Sequence, residues 1–379
     1  MKRNELHNVR TKEKLERTYH INEKSIEVVL EEVKQRLIAV GAKLERYDNR
    51  TKQFRQNRLF ESNQKKLFDE IEGKERQTVV PDAEESRIFW DNIWGQPVRH
   101  NENAEWLRTL EEELVDIGIQ ENIHINMIKL KKQITRIPNW KCPGPDGVQG
   151  YWIKNLSAVH DGMSNQLNKC LHEDSVPVWM VTGKTLLCVK EIEKGDTVSN
   201  FRPITCLALL WKLLTAVLAD ELYRHLEENN LLPWEQKGCK KGSRGTKDQL
   251  LIDKMIVKNC KRRLTSLGVA WIDYRKAYDM VPHSWIEKTM EMFGVAINMR
   301  RFISGNMKQW NTELMSGDQR LGNVKIRRGI FQGDSLSPLL FVLAMIPLTL
   351  MLRKTKIFYQ LKRGGEKINH LLFMDGLKL

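Results

Sequence analysis

Hydrophobic residues recur at helical spacing near the start of the chain. They fall on one helix face at Ile26, Val29, Leu30, Val33, Leu37 and Val40. The following segment, 50–73, is basic and rich in Gln and Asn, and it places Phe54, Phe60 and Phe68 between the charges. Residues 1–80 are therefore predicted to form a basic helical N-terminal extension. Cations interleaved with aromatic rings suit single-stranded nucleic acid, but a surface helix whose aromatics face a core has the same pattern.

A second hydrophobic block begins after a linker near residue 81. Phe89, Trp90 and Trp94 are large enough to anchor a core, and helical patterns dominate from there to residue 263. The segment WKCPGPDGVQG, which starts at Trp140, interrupts them with prolines and glycines. Beyond it we predict a helix over 151–171, a strand over 185–190, and a short strand at FRPITC that leads into a long helix ending near Asn229.

Strand patterns cluster after residue 263. They occur in SLGVAWID, WNTELM, VKIRRG, KIFYQLK and INHLLFMD. A helical block followed by clustered strands predicts an α+β fold. The longest apolar run, from Leu336 to Leu352, is slightly short for a membrane span and carries two prolines. We therefore predict a buried helix there.

The charge balance narrows the choice of partner. The 379 residues carry a formal net charge of +14, which favours a polyanion, either nucleic acid or an anionic membrane. The charged N-terminus has no apolar core and so is not a secretory signal. Without a predicted span or signal, nucleic acid is the expected partner and the nucleus or cytoplasm the expected location. The six cysteines lack zinc-knuckle spacing and are expected to be free thiols.

Two aspartates follow apolar strands of the same construction. Residues 267–272 form a nearly continuous apolar run, which predicts a strand buried on both faces and ending at Asp273. INHLLFMD delivers Asp375 in the same way. If the two strands are neighbours, both carboxylates reach one sheet edge, where they repel unless a cation such as Mg²⁺ lies between them. Taken singly, each aspartate is better explained as a turn or cap residue, but two matching sites in a basic protein favour a metal site.

Two glycine-containing loops are further candidates. In RRGIFQGDSLSPLLF, Gly329 and Gly333 bracket Gln332 in a bend, and Asp334 or Ser335 is predicted to cap the apolar helix that follows. On spacing alone, this segment is better explained as an ordinary loop followed by the start of a helix. GCKKGSRGTKDQLL, from Gly238, does not meet the spacing of a phosphate-binding P-loop. We expect a basic loop that touches a nucleic-acid backbone.

Together and in this order, the motifs resemble those of reverse transcriptases. Asp273 with Ala277, Tyr278 and Asp279 is similar to the first palm motif, GIFQGDSLSPLLF to the second, and FMDG to the third; FRPITC, GPDG and EQKGCKKGSRGTKDQL also match. The chain most resembles the reverse transcriptases of site-specific non-LTR retrotransposons that carry a restriction-like endonuclease, from about Phe89 onward. This implies a right-hand polymerase fold, with fingers over 81–265, a palm over 266–379 that stops after the third motif, and no thumb.

The resemblance also assigns roles. It implies Mg²⁺-dependent nucleotidyl transfer to a primer 3′-hydroxyl on an RNA template, with two metal ions held by Asp273 and Asp375. Tyr278 resembles the steric gate that selects deoxynucleotides. The remaining assignments concern the nucleotide and template: Gln332 and Gly333 would border them, while Lys190 and Arg202 would grip the triphosphate. The implied partners are an RNA template, a DNA primer or target, and deoxynucleoside triphosphates.

One position departs from the family pattern. Where the third motif has a second aspartate, this chain has Gly376, which supplies no oxygen ligand. The chain also ends at Leu379, which would leave the strand before Asp375 without its hairpin partner. Together, Gly376 and this early end imply a degenerate or truncated copy with little or no activity. The alternative is a non-catalytic remnant that still binds RNA. A viral RNA-dependent RNA polymerase shares the palm aspartates, but Tyr278 and GIFQGDSLSP argue against it.

Overall fold

The computed structural model describes residues 14, 26–62, 80–360, 365 and 367–379. The chain divides between Gln77 and Thr78 into two units. In the first, helix α1 spans Ile26–Ser62. Its predicted hydrophobic face is largely uncovered, since Leu37 is 74% exposed, and Phe54 is 70% exposed rather than facing a core. The rest of the predicted extension, including Phe68, lies outside the described residues.

The second unit begins with short helices. They are α2 (Ala83–Trp90, followed by a π-helical turn at Asp91–Gly95), α3 (Glu105–Glu113), α4 (Met127–Arg136), α5 (Gly150–Asn155), α6 (His160–His172) and α7 (Val178–Val181). The single helix predicted over 151–171 is wrong: α5 and α6 are separate. The chain leaves helical geometry at Leu156, whose φ is −91° and ψ 62°, and a 3-10 turn over Ser157–Val159 redirects it.

Six further helices lie between Leu209 and Arg353 in the described part of the chain. They are α8 (Leu209–Glu228), α9 (Thr246–Arg263), α10 (Ala277–Met280), α11 (His283–Met292), α12 (Ile297–Met307) and α13 (Ser337–Arg353). Helix α13 is the predicted apolar helix, and most of its side chains are buried in the main core with Trp90, Trp211 and Trp310. Within the described ranges, no helix combines the length and the hydrophobicity that a bilayer crossing requires.

The larger sheet has four strands in the order β2-β1-β4-β5. Their bounds are β1 Thr182–Val189, β2 Phe201–Cys206, β4 Asn311–Ser316 and β5 Gln319–Lys325. Strands β1 and β4 are parallel, and the two outer pairs are antiparallel. A buried hydroxyl cluster joins three of them: Thr185 Oγ1 lies 2.8 Å from Thr205 Oγ1 and 2.6 Å from Thr312 Oγ1. Each of these buried hydroxyls therefore has a hydrogen-bond partner, as buried polar groups generally do.

The smaller sheet has three strands in the order β3-β9-β8. They are β3 Trp271–Ile272, β8 Leu371–Phe373 and β9 Gly376–Lys378, and both outer strands are antiparallel to β9. A separate hairpin pairs β6 (Tyr359–Gln360) with β7 (Lys367–Ile368). The mixture of helices and sheets agrees with the predicted α+β class.

The structure corrects three expectations about the smaller sheet. The strand before Asp273 is only two residues long, and both of its residues are exposed rather than buried, with Trp271 74% exposed. The two aspartate-bearing strands are not neighbours, since β9 lies between them. The strand before Asp375 does not lack a hairpin partner, because the last residues of the chain fold back as β9.

The threonine cluster generates a stability prediction. In Thr185→Val the shape is retained, but the buried hydroxyls of Thr205 and Thr312 lose their partner. We expect a loss of about 1–3 kcal/mol in the free energy of unfolding, measured by urea denaturation. The control is Thr197→Val on the exposed turn of the same β1–β2 hairpin, which should change stability by no more than about 0.5 kcal/mol. Equal effects in the two variants would contradict the assignment.

Candidate active site

A buried carboxylate lies at the centre of the site. The chain turns after β3 and enters α10, which places Asp279 in the interior, where it is 1% exposed. Trp94 Nε1 donates to Asp279 Oδ1 at 3.2 Å, and Gln332 Nε2 donates to its two oxygens at 3.4 and 3.3 Å. Burial, opposed by the charge of Lys276 and these bonds, raises the pKa of Asp279 to about 6.

Lys276 is the cation next to this carboxylate. Its φ of 54° places it in the left-handed region at the start of α10. Its ammonium group donates to Phe201 O at 2.8 Å and lies 4.3 Å from the centre of the Trp90 ring. Burial first, and the positive charge of Lys190 second, lower the pKa of Lys276 to about 8, while Asp279 opposes the shift. Lys276 therefore links strand β2 to the α10 turn.

The loop from Gly329 to Asp334 packs against both of these segments. Ile330 N donates to Tyr278 O at 2.9 Å, and Thr205 N donates to Gln332 O at 2.7 Å. Gly329 has a φ of 82°, and a Cβ there would lie 2.7 Å from Asp279 O. Only glycine allows so close an approach. A Cβ on Gly333 would likewise collide with the carbonyl of Thr205.

Asp334 is buried at the end of this loop. It accepts from Thr215 Oγ1 at 2.6 Å and from Ser335 N at 2.7 Å, and burial raises its pKa to about 6. The predicted capping of the apolar helix is therefore wrong. The N-cap of α13 is Leu336, without a side-chain cap, and Ser335 Oγ donates instead to Lys212 O at 3.0 Å. Both polar side chains tie the loop to α8.

Tyr278 and Asp375 lie on the same side of the site. The Tyr278 ring stacks on Phe341 at 4.6 Å with an interplanar angle of 6°. Burial, and then electrostatic repulsion from Cys239 and Asp375, raises the pKa of the Tyr278 phenol. Asp375 occupies the two-residue turn between β8 and β9, after Met374.

Gln236 fixes this turn. Met374 N donates to Gln236 Oε1 at 2.9 Å, and Gln236 Nε2 donates to Met374 O at 3.3 Å. Because β3 pairs with β9 through Ile272 and Leu377, Asp273 leaves β3 at the same end of the sheet as the turn that carries Asp375. No group of three or more metal-ligating side chains occurs in the described part of the chain.

The β1–β2 hairpin carries the two predicted phosphate-binding cations. Arg202 pairs with Cys188 across the hairpin, and Lys190 N donates to Asn200 O at 2.9 Å. Both side chains are exposed. Both also contribute to lowering the pKa of Lys276, so their charges lie close to the buried centre.

The buried centre itself is not predicted by the sequence. The motif resemblance includes Asp279 without a role, and no sequence pattern assigns Lys276 or Trp94 to the site. The sequence signal for these three residues is weak, because a lysine, an aspartate and a tryptophan in separate segments have no diagnostic spacing. The predicted residues Gln332, Gly333 and Tyr278 all contact this centre or the segments that enclose it.

Comparisons with known proteins point to one family. Residues 192–379 match the family model of the reverse transcriptase (RNA-dependent DNA polymerase). The chain is 31% identical over 246 residues to the Pol polyprotein from a type-1 R2 retrotransposable element of Popillia japonica, covering 64% of this chain and 33% of that protein.

Two further relatives are more distant. Identity is 24% over 306 residues to the Pol polyprotein from the type-2 element R2DM of Drosophila melanogaster, covering 80% of this chain and 27% of that protein. It is 22% over 308 residues to an uncharacterized 149 kDa protein of transposon TX1 from Xenopus laevis, covering 79% of this chain and 21% of that protein. The chain thus spans a third or less of the length of these relatives.

The raised pKa of Asp279 predicts a pH effect on stability. Because the folded state keeps this proton up to about pH 6, whereas an unfolded aspartate loses it near pH 4, the free energy of unfolding should fall as pH rises through this window. In Asp279→Asn that part of the fall, on the order of 1–3 kcal/mol, should vanish. Urea denaturation from pH 4 to 7 measures it, and an unchanged slope in the variant would refute the assignment.

The approach of Gly329 to Asp279 predicts a steric effect. Gly329→Ala combines a positive φ with a collision against backbone, so we expect a loss of about 2–5 kcal/mol in the free energy of unfolding. Gly317→Ala is the matched control, since Gly317 has a φ of 57° but nothing within 4 Å of its Cβ position. Its cost should be about 1–2 kcal/mol. Denaturation of both variants checks the difference, and equal losses would argue against tight packing at Gly329.

Proposed function

Since the chain belongs to the reverse transcriptases of non-LTR retrotransposons, we propose that its function is RNA-directed DNA synthesis at the end of the β3–β9–β8 sheet. The observation that carries this proposal is the placement of Asp273 and Asp375 at one end of that sheet. The buried unit of Lys276, Asp279 and Gln332 connects the neighbouring segments. We further propose that residues 81–265 act as fingers and 266–379 as palm.

The two carboxylates fit the divalent cation that such chemistry requires. Mg²⁺ is commonly held by one or two protein carboxylates and fills its other positions with water and phosphate oxygens. Asp273 is exposed and Asp375 partly exposed, so both are open to such ligands. In the proposal they hold two Mg²⁺ ions. When bound, the metal supplies a lowered pKa for the primer hydroxyl and charge stabilisation for the triphosphate.

The surrounding residues are proposed to position the nucleotide. Arg202 and Lys190 present positive charge on one hairpin, which suits the triphosphate, because guanidinium binds phosphate through parallel hydrogen bonds. The Tyr278 ring, fixed by its stack on Phe341, is proposed to exclude a 2′-hydroxyl. Gln332 and Gly333, tied by backbone contacts to Thr205, are proposed to border the nucleotide and template.

Gly376 supports the further proposal that this chain is impaired. It offers no ligand beside Asp375, so the metal loses part of its charge compensation. The backbone leaves room for the side chain that the family has there: a Cβ on Gly376 would meet only Phe373 O, at 3.5 Å, and its φ is not in the left-handed region. This same residue favours the alternative function, an RNA-binding protein without catalysis.

Primer extension on an RNA template, with Mg²⁺ and deoxynucleotides, tests the proposal. We expect Gly376→Asp to extend the primer faster than the unmodified chain by about 100-fold or more, because it restores a ligand to the metal. Adding Asp273→Asn to Gly376→Asp should abolish the gain. Gly317→Asp, which places the same residue on a distant exposed turn, is the control and should give no gain.

The outcomes separate the two functions. Extension by the unmodified chain at the rate of Gly376→Asp would refute the impairment. No extension by any variant, together with salt-dependent RNA binding that survives Asp273→Asn, would favour the RNA-binding alternative. Preference for ribonucleotides would contradict the role of Tyr278.

A further inference from the structure

A group of exposed aromatic rings lies at the start of α5. Trp140 and Tyr151 stack with centroids 4.9 Å apart and an interplanar angle of 14°, and Trp152 stands edge-on to Tyr151 at 5.5 Å and 82°. Their side chains are 68%, 36% and 54% exposed, respectively. We call Trp140, Tyr151 and Trp152 the aromatic platform. Rings of this size exposed together mark an interaction surface more often than a structural accident.

Backbone contacts hold the platform in place. Tyr151 N donates to Asn139 O at 3.1 Å, which sets Tyr151 beside Trp140. Gly150 makes this possible, because a Cβ there would collide with Ile137 and with the carbonyl of Pro138. Asn155 Nδ2 donates to Tyr151 O at 2.7 Å. The rings are therefore fixed before any ligand arrives, so binding costs little side-chain ordering.

The charge around the platform is positive. Between residues 137 and 159, the sequence has one acidic residue, Asp146. Its carboxylate is bound by backbone amides, since it accepts from Val148 N in its own loop at 3.2 Å and from Leu209 N at the start of α8 at 3.4 Å. Lys141 follows Trp140 directly, and Lys154 lies one helical turn beyond Tyr151. In the described ranges neither lysine forms an ion pair, so both charges are available to an anion.

The platform is connected to strand β2. Gly144, in the loop between Trp140 and Tyr151, packs so closely on the backbone of Leu207 and Ala208 that a Cβ would collide with it. These residues directly follow β2, which carries Arg202 near its other end and touches Gln332 through Thr205. The platform is thus joined, through Gly144 and Leu207, to the strand whose Thr205 contacts Gln332.

We propose that the aromatic platform is a binding site for the unpaired bases of single-stranded RNA. Stacked rings accept base faces irrespective of sequence, and flanking cations contact the phosphates. The surface matches that chemistry, since it combines flat exposed rings, two available lysines and a single, internally bonded carboxylate. This proposal rests on the proposed function only in identifying the bound RNA as the template.

The test is the binding of a fluorescently labelled, unpaired oligouridine to the full chain. Fluorescence anisotropy is read at a salt concentration high enough to weaken phosphate contacts elsewhere on the protein. Trp140→Ala should raise Kd by about 5- to 100-fold, whereas Trp140→Phe, which keeps an aromatic face, should retain most of the affinity. Trp179→Ala is the matched control, because Trp179 is also exposed, at 48%, but lies outside the platform. It should leave Kd unchanged.

A second oligonucleotide, with the same backbone but no bases, makes the test specific. Its affinity should be the same for the wild type and Trp140→Ala, since stacking needs a base. An equal loss with both oligonucleotides, or no loss with either, would overturn the proposal. If the chain binds through the platform but neither it nor Gly376→Asp extends a primer, the proposed catalysis fails and this site stands.

Discussion

The site depends on the burial of the Asp279 carboxylate. An ionised carboxylate in the interior is costly unless charge and hydrogen bonds compensate it. Here the compensation comes from three distant parts of the chain: Trp94 before α3, Lys276 at the start of α10, and Gln332 in the glycine-containing loop. These segments must pack together for the buried carboxylate to be stable, and that packing fixes the positions of the surrounding loops.

Two glycines allow the segments around Asp279 to pack this closely. The loop can reach the α10 turn only because Gly329 has no side chain to hold it away from Asp279, and it can reach β2 only because Gly333 does the same at Thr205. Lys276 adds a further connection, because its ammonium group donates to Phe201 O at the start of β2. The β1–β2 hairpin, the loop from Gly329 to Asp334 and the α10 turn are thus placed by one connected set of contacts.

Sequence patterns anticipated the elements that have strong local signals. The apolar run of α13, the strand FRPITC and the long helix α8 all occur close to where periodicity places them. The failures have a common cause: they depend on what lies next to an element. The run ending at Ile272 reads as buried because it is apolar, yet β3 lies at a sheet edge. Asp334 is predicted to cap α13, but the N-cap position falls on Leu336 and Asp334 accepts from Thr215 instead.

The turn that carries Asp375 has a consequence for how the chain folds. Its non-glycine Met374 adopts a φ of 53°, and the side chain that satisfies this turn, Gln236, lies 138 residues earlier. Contacts of such separation close slowly, because the chain entropy of the loop is lost before the contact forms. We therefore expect the carboxylate-bearing turn to be among the last parts to acquire native geometry, which pulsed hydrogen exchange at the Met374 amide would report. A newly made chain would become rigid there only after its helices have packed.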